Sequence, residues 1–318
     1  MRTLVVFVTD GGFLVPSLVA ASQLVKQGVP DIADIMIYTV DVDAGVLSKL
    51  RTNNPRIQFE NLPSHLFTPP TNITFAKNHV PVTSLARLSL QEVMAPKYKN
   101  IVYIDGDVQI TGDVRALINC IVPDGKIMAG RGSAWLDDGR DEDATPRGYL
   151  ESLGRVSPAD YFNAGVLAFS SETWKHSAKI ALDFFFANSA ACIRHDQSAL
   201  NAIFKGNVVH FPPKYNFHSK YAELDWRGRY SPAIIHFTGP NKPWGKPATP
   251  WWDKFKQTYR DIVKQQPYLA AFLKIDGEPD LKTVLRRVKN RIKPRKVGNR
   301  ADRTARFLDY VNHTEFPC

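Results

Sequence analysis

The segment KNIVYIDGDVQI, Lys99 to Ile110, runs from an apolar stretch straight into two carboxylates, Asp105 and Asp107, with Gly106 between them. A strand entering a core sheds its charges, so KNIVYI reads as a buried β-strand whose carboxyl end lies where water or a ligand can reach it. In extended backbone, side chains two apart share a face, so the carboxylates can converge on one cation while Gly106 keeps the backbone close. Hard oxygen ligands suit Mg2+ or Mn2+, whose shell water and phosphate oxygens complete. The alternative is that Asp-Gly-Asp is turn chemistry and nothing more.

Working outward, RTLVVFVTD predicts a first buried strand, and PSLVAASQLVKQG a helix with Leu18, Ala21, Leu24 and Val25 at helical spacing, Pro16 in its first turn and Gly28 as its stop. ADIMIYTVDV and RIQFENL are further strands, with AGVLSKLRTNN a short helix between them. This alternation predicts an α/β fold built on a mainly parallel twisted sheet flanked by helices, with ligands bound outside the carboxyl ends of the strands. Residues 62 to 80, rich in proline, are expected to form a loop over that site, and VTSLARLSLQEVM a helix. GKIMAGR and GVLAFS read as strands, and residues 172 to 188 and 195 to 204 as helices, before VVHF, AIIHF and the aromatic stretch PWWDKFKQTY. His236 follows an apolar strand, where an imidazole is a suitable third metal ligand or a hydrogen-bonded surface group. Gly239 permits close backbone approach, and Lys242 is a point charge for phosphate or a solvated lysine.

The 318 residues are 44% hydrophobic and 23% charged, which excludes disordered and collagen-like classes. No apolar run approaches a bilayer span, and LVVFV is too short for a signal core, so a cytoplasmic protein is expected. Three widely spaced cysteines, Cys120, Cys192 and Cys318, suggest neither a disulfide framework nor a zinc knuckle, and Cys318 is expected to be a free thiol. The net charge of +10 is local: residues 281 to 306 hold eleven basic residues against Asp302, leaving the rest neutral. LKTVLRRVKNRI, ended by Pro294, predicts a helix with a narrow apolar stripe opposite a basic face. Such a helix lies on an anionic membrane or packs its stripe on the domain.

ARLSLQEVMAPKYKNIVYIDGDVQITGDV, YFNAGVLAFS, DQSALNAIF and IIHFTGPNKPW, in this order, resemble glycosyltransferase family 8, the family of glycogenin and of bacterial lipopolysaccharide galactosyl- and glucosyltransferases. The resemblance starts at VVFVTDGGFLVPSLVAASQL and runs to about Trp252. It implies a GT-A type nucleotide-diphosphosugar transferase fold over residues 1 to 265, with a helical basic extension over 266 to 318. It also implies retaining transfer of galactose or glucose from a UDP-sugar to a glycan or glycolipid, in lipopolysaccharide or cell-surface polysaccharide biosynthesis. Asp105, Asp107 and His236 would bind Mn2+, with Mg2+ possible in its place, Gly239 and Lys242 would contact the donor phosphates, and Asp105 and Gly106 would also count among the donor-binding positions. Thr9 and Asp10 would lie near uracil and ribose, with Phe13 where members carry a stacking Tyr and Gly12 in place of a usual Asn. Arg87 and Asn163 would approach the donor, and Asp196 and Gln197 would line its sugar as the catalytic positions, Gln197 beneath the ring. Taken alone, Asp10 and Asp196 serve equally as N-caps, Asn163 as a turn cap and Arg87 as a helix-surface charge.

One departure leaves galactose and glucose both open. Where some galactosyl members place an Asp, AGRGSAW has Arg131 and Gly132, with Asp137 or Asp138 as substitutes. The expected partners are therefore a UDP-hexose, a glycan or glycolipid, and the cytosolic face of an anionic membrane through residues 281 to 306, with no nucleic acid. A sugar-nucleotide pyrophosphorylase would need a Gly-rich phosphate loop with a catalytic Lys, and a dinucleotide dehydrogenase a G-x-G-x-x-G after the first strand; VTDGGFLV offers neither. The non-enzymatic alternative is a protein that binds nucleic acid or anionic membrane through its tail.

Overall fold

A computed structural model of the protein describes residues 2–71, 73, 82–140, 145–224, 226, 228–245, 253–273, 275, 285 and 297–317. Strands β1 (Thr3–Thr9), β2 (Ala33–Thr39), β3 (Gln58–Asn61) and β4 (Asn100–Ile104) alternate with helices α1 (Leu14–Lys26) and α2 (Ala44–Asn53). They are followed by β5 (Val108–Ile110), α3 (Arg115–Asn119), β6 (Ile127–Arg131), α4 (Tyr149–Ser152), β7 (Phe162–Ser170), α5 (Ser171–Ala187) and α6 (His195–Ile203). The chain continues with β8 (Val208–His210), β9 (Phe217–His218), α7 (Ser219–Ala222), β10 (Ile234–His236), α8 (Asp253–Gln265) and α9 (Val297–His313).

Seven strands form the main sheet in the order β3-β2-β1-β4-β7-β6-β8, and β7 alone runs antiparallel to its neighbours. Alternation along β1 sends Val5 and Phe7 to a core shared with α1 and α8, and Leu4 and Val6 to one shared with α5 and α6. Burial on both faces is why β1 is an unbroken apolar run in sequence. Because β2 pairs on one side of β1 and β4 on the other, the strand order reverses there. The resulting crevice lies at the carboxyl ends of β1 and β4, where Asp10 and Asp105 sit.

A smaller sheet, β5-β10-β9, decides where the histidine goes. β10 runs antiparallel to β5 with His236 opposite Val108, and parallel to β9 with His236 opposite His218. That register brings His236 beside Asp107.

Two expectations change, one lies outside the described residues, and one open alternative is narrowed. Val82–Glu92 winds as 3-10 turns rather than an α-helix, and its residues from Leu85 to Leu90 are all buried, so there is no exposed helical face to maintain. Cys120 is disulfide-bonded and Cys192 is a free buried thiol, against the expectation of no disulfide; Cys318 lies outside the described residues. The predicted helix over 281 to 292 also falls outside them, apart from Leu285, as does much of the loop over 62 to 80. Finally, part of the basic tail is α9, which docks on the domain: Phe307 is buried, 5.0 Å from the Tyr221 ring and 6.0 Å from Phe217.

Candidate active site

The switch-point crevice is a cavity of about 480 Å3. The residues assigned to metal, donor and catalysis from the sequence line it: Thr9, Asp10, Phe13, Arg87, Asp105, Gly106, Asp107, Asn163, Asp196, Gln197, His236, Gly239 and Lys242. Asp137 and Asp138 do not. They face α9, where Asp137 pairs with Arg303 and Asp138 with Arg306 at 2.9 Å, away from the cavity where a substitute was expected.

The cation-attracting end is built on β4, β5 and β10. His236 Nε2 lies 3.2 Å from Asp107 Oδ1 and 3.7 Å from Asp105 Oδ2. Among the described residues, these three side chains form the one such group whose ligand atoms could hold a metal, all within 4.8 Å of one another. Lys242 Nζ reaches Asp107 Oδ2 at 2.5 Å and also donates to the Phe237 carbonyl at 2.7 Å. Burial alone would raise the Asp107 pKa; the Lys242 ammonium first, and then the His236 ring beside it, instead hold it far below the ordinary carboxylate range. Two glycines make room: a Cβ at Gly165 would overlap the His236 ring, and one at Gly106 would overlap Ser17 Oγ.

Arg87 is not a surface charge. It is 6% exposed, donates to Asp105 at 2.7 Å and to the Ala164 carbonyl at 2.5 Å, and lies 3.0 Å from Asp196 Oδ2. Its guanidinium also sits 4.2 Å over the Tyr103 ring, whose hydroxyl donates to Asp105 at 2.7 Å. Burial opposes its charge, but Asp105 and Asp196 more than offset that and raise its pKa. For Asp196 the balance is reversed: burial, then Asp105, pushes its pKa up despite Arg87.

Gln197 is fixed by three hydrogen bonds. Its Oε1 accepts from the Ala164 N–H and from Asn163 Nδ2, both at 3.1 Å, and its Nε2 donates to Tyr161 Oη at 2.6 Å. Asp10 accepts from the Gly12 N–H and from Thr83 Oγ1, each at 2.9 Å. Phe13 meets Trp244 edge-on at 5.9 Å, and Gly239 adopts φ +84, a left-handed conformation suited to glycine.

Sequence reasoning missed Tyr103, Thr83, Trp244 and, behind the lining, Asn216. Asn216 is fully buried and bridges His236 Nδ1 (2.9 Å) to Asn163 Oδ1 (2.8 Å). Its one signal is a lone uncharged polar residue inside the aromatic stretch PPKYNFH.

A mainly parallel sheet with a carboxylate–histidine cluster at its switch point defines a GT-A type glycosyltransferase fold. Residues 4–248 match glycosyl transferase family 8, and the chain belongs to that family. It is 23% identical over 248 residues to general stress protein A of Bacillus subtilis (strain 168), covering 72% of this chain and 80% of that protein. It is 24% identical over 234 residues to the lipopolysaccharide 1,2-glucosyltransferase of Escherichia coli (strain K12), covering 59% of this chain and 63%, less than two thirds, of that one. The crystal structure of the galactosyltransferase LgtC with donor and acceptor sugar analogues shares the fold at a TM-score of 0.66 and 24% identity, over 81% of this chain and 95% of that one. No helix among the described residues is long and apolar enough to cross a membrane.

Proposed function

We propose that this protein transfers a hexose, galactose or glucose, from a UDP-sugar to a glycan or glycolipid hydroxyl, with a divalent cation and with retention of anomeric configuration. The observation that carries this is the convergence of Asp105, Asp107 and His236 at one end of a cavity whose other walls hold Asp10, Phe13, Arg87 and Gln197. Two carboxylates and one imidazole suit Mn2+ first and Mg2+ second, and the seat of the Lys242 ammonium on Asp107 marks the site as one that draws in positive charge. The bound ion would supply charge that stabilises the departing diphosphate.

The remaining work falls to the chain itself. Lys242, 2.5 Å from Asp107, can turn to phosphate oxygens, and Phe13 offers a face for the uracil. Thr9 and Asp10 lie on the nucleoside side, with Asp10 held by Gly12 and Thr83. Retention without a free nucleophile fits front-face transfer: two N–H donors take both lone pairs of Gln197 Oε1, and the Asp196 carboxylate is paired with buried Arg87. The acceptor hydroxyl then attacks an oxocarbenium-like sugar from the side the leaving phosphate departs, and that phosphate takes the proton. Gln197 steadies the sugar from below and Asn163 from its edge.

The acceptor in this scheme is a lipopolysaccharide or cell-surface polysaccharide precursor, in keeping with the Escherichia coli relatives. The body over residues 1 to 265 would meet the cytosolic leaflet through basic residues of the 266 to 318 extension other than Arg303 and Arg306, whose charges are spent on Asp137 and Asp138. The test is incubation with a panel of UDP-sugars and Mn2+, following the anomeric proton of the released or transferred sugar by NMR. One UDP-hexose consumed with retention is the expected result; inversion, or a sugar adduct on Asp196 or Gln197 in the mass spectrum, would overturn the mechanism.

A further inference from the structure

His236 can hold a metal through Nε2 only if that nitrogen carries a lone pair, and the other ring nitrogen decides this. The deciding contacts form a chain that begins at a backbone amide. The Gly165 N–H, a donor by necessity, gives its proton to the side-chain oxygen of Asn163 at 3.0 Å. That contact fixes which end of the Asn163 amide is oxygen, a matter that heavy-atom positions alone leave ambiguous. The group of Asn216 facing the same oxygen at 2.8 Å must therefore be its NH2. Its other end, 2.9 Å from His236 Nδ1, is then the oxygen, which only accepts. Nδ1 must carry a proton, and Nε2 is left to face Asp107 and Asp105.

We propose that Asn216 is a positioning residue that sets the tautomer and ring orientation of His236 for metal binding; this rests on the metal-dependent reading above. The surroundings leave Asn216 no other place. It is fully buried between Tyr215 and β9, and a Cβ on Gly130 would stand 2.9 Å from its own Cβ. The Cβ-less Gly165 accommodates the ring it holds. The same amide reaches Asn163, whose Nδ2 donates to Gln197, so the cation end and the sugar end of the cavity share one hydrogen-bonded chain.

The experiment is Mn2+ titration in the presence of UDP, with free Mn2+ read by EPR, on the wild type, Asn216→Leu and Asn216→Asp. Leu keeps the shape and removes both hydrogen bonds, while Asp keeps an acceptor for Nδ1. Outer-sphere partners of this kind typically contribute about 10–100-fold in metal affinity, so Asn216→Leu should weaken Mn2+ binding by about that factor, with Asn216→Asp closer to wild type. A role in packing alone predicts the reverse order, because Leu fits an apolar pocket and a buried carboxylate does not, and that result would overturn the proposal. Should the Leu variant not fold, long-range 1H–15N correlation on histidine-labelled wild type with UDP and Mg2+ decides the matter, with His236 identified by its loss in His236→Gln. A proton on Nδ1 is expected; one on Nε2 refutes the role. Wild-type protein that binds no Mn2+ would instead remove the metal-dependent reading itself, and this inference with it.

Discussion

Two aspartate pairs, Asp105 with Asp107 and Asp137 with Asp138, each follow a strand of the main sheet and each meet basic side chains. Asp105 and Asp107 are 22% and 12% exposed at their side chains and open on a cavity with a histidine and a lysine. Asp137 and Asp138 are 6% and 61% exposed and are taken up by Arg303 and Arg306 of α9. The first pair keeps lone pairs facing an opening; the second closes a helix onto the domain. Carboxylate pairs in loops after strands are thus not informative by type. What separates them is that Arg303 and Arg306 reach the second pair from a helix docked on the domain, whereas Lys242 meets Asp107 inside the cavity.

The sharpest way to break this contrast is Arg87→Met, which leaves Asp105 and Asp196 without their buried partner. Losing one member of a buried pair typically costs about 3–5 kcal/mol, so urea unfolding should show a loss of that size, with UDP-sugar turnover lost too. Turnover retained at wild-type stability would mean Arg87 is dispensable to both. Next is Gly165→Ala, whose new Cβ meets the His236 ring. Mn2+ affinity should fall by about 10–100-fold while the far-UV spectrum is unchanged, and unaltered affinity would remove His236 from the metal set. Asp137→Ala should lower stability by about 1.5 kcal/mol, the scale of a hydrogen bond to a charged group, and leave Mn2+ affinity alone. The smallest effect belongs to Asp138→Ala: its exposed pair with Arg306 is screened by water and salt, and the melting temperature should not move.

The two halves of the molecule also differ in how far they could be read ahead. β1 to β4 declared themselves because each is a continuous apolar or alternating run between turn residues, and the aspartates fell where parallel sheets bind ligands. His236 was legible because an imidazole directly after Ile234 and Ile235 stands out. The small sheet was not: β5 and β9 are three and two residues long, too short to show a period, and they form by pairing with β10. Nor was α9, since its docking depends on Phe307 meeting an aromatic cluster assembled from Trp135, Phe217 and Tyr221. Arg87 reads as a surface charge in any local window, because the acids that make its burial tolerable are 18 and 109 positions away along the chain.

The central claim is that Asp105 and Asp107 form the cation end of a nucleotide-sugar site. Isothermal titration of UDP into wild type and Asp107→Ala, each with and without Mn2+, tests it most directly. UDP should bind wild type only with Mn2+ present, and the substitution should abolish that binding while leaving the far-UV spectrum that of wild type. UDP binding that is indifferent to Mn2+, or equal in both proteins, would contradict the claim.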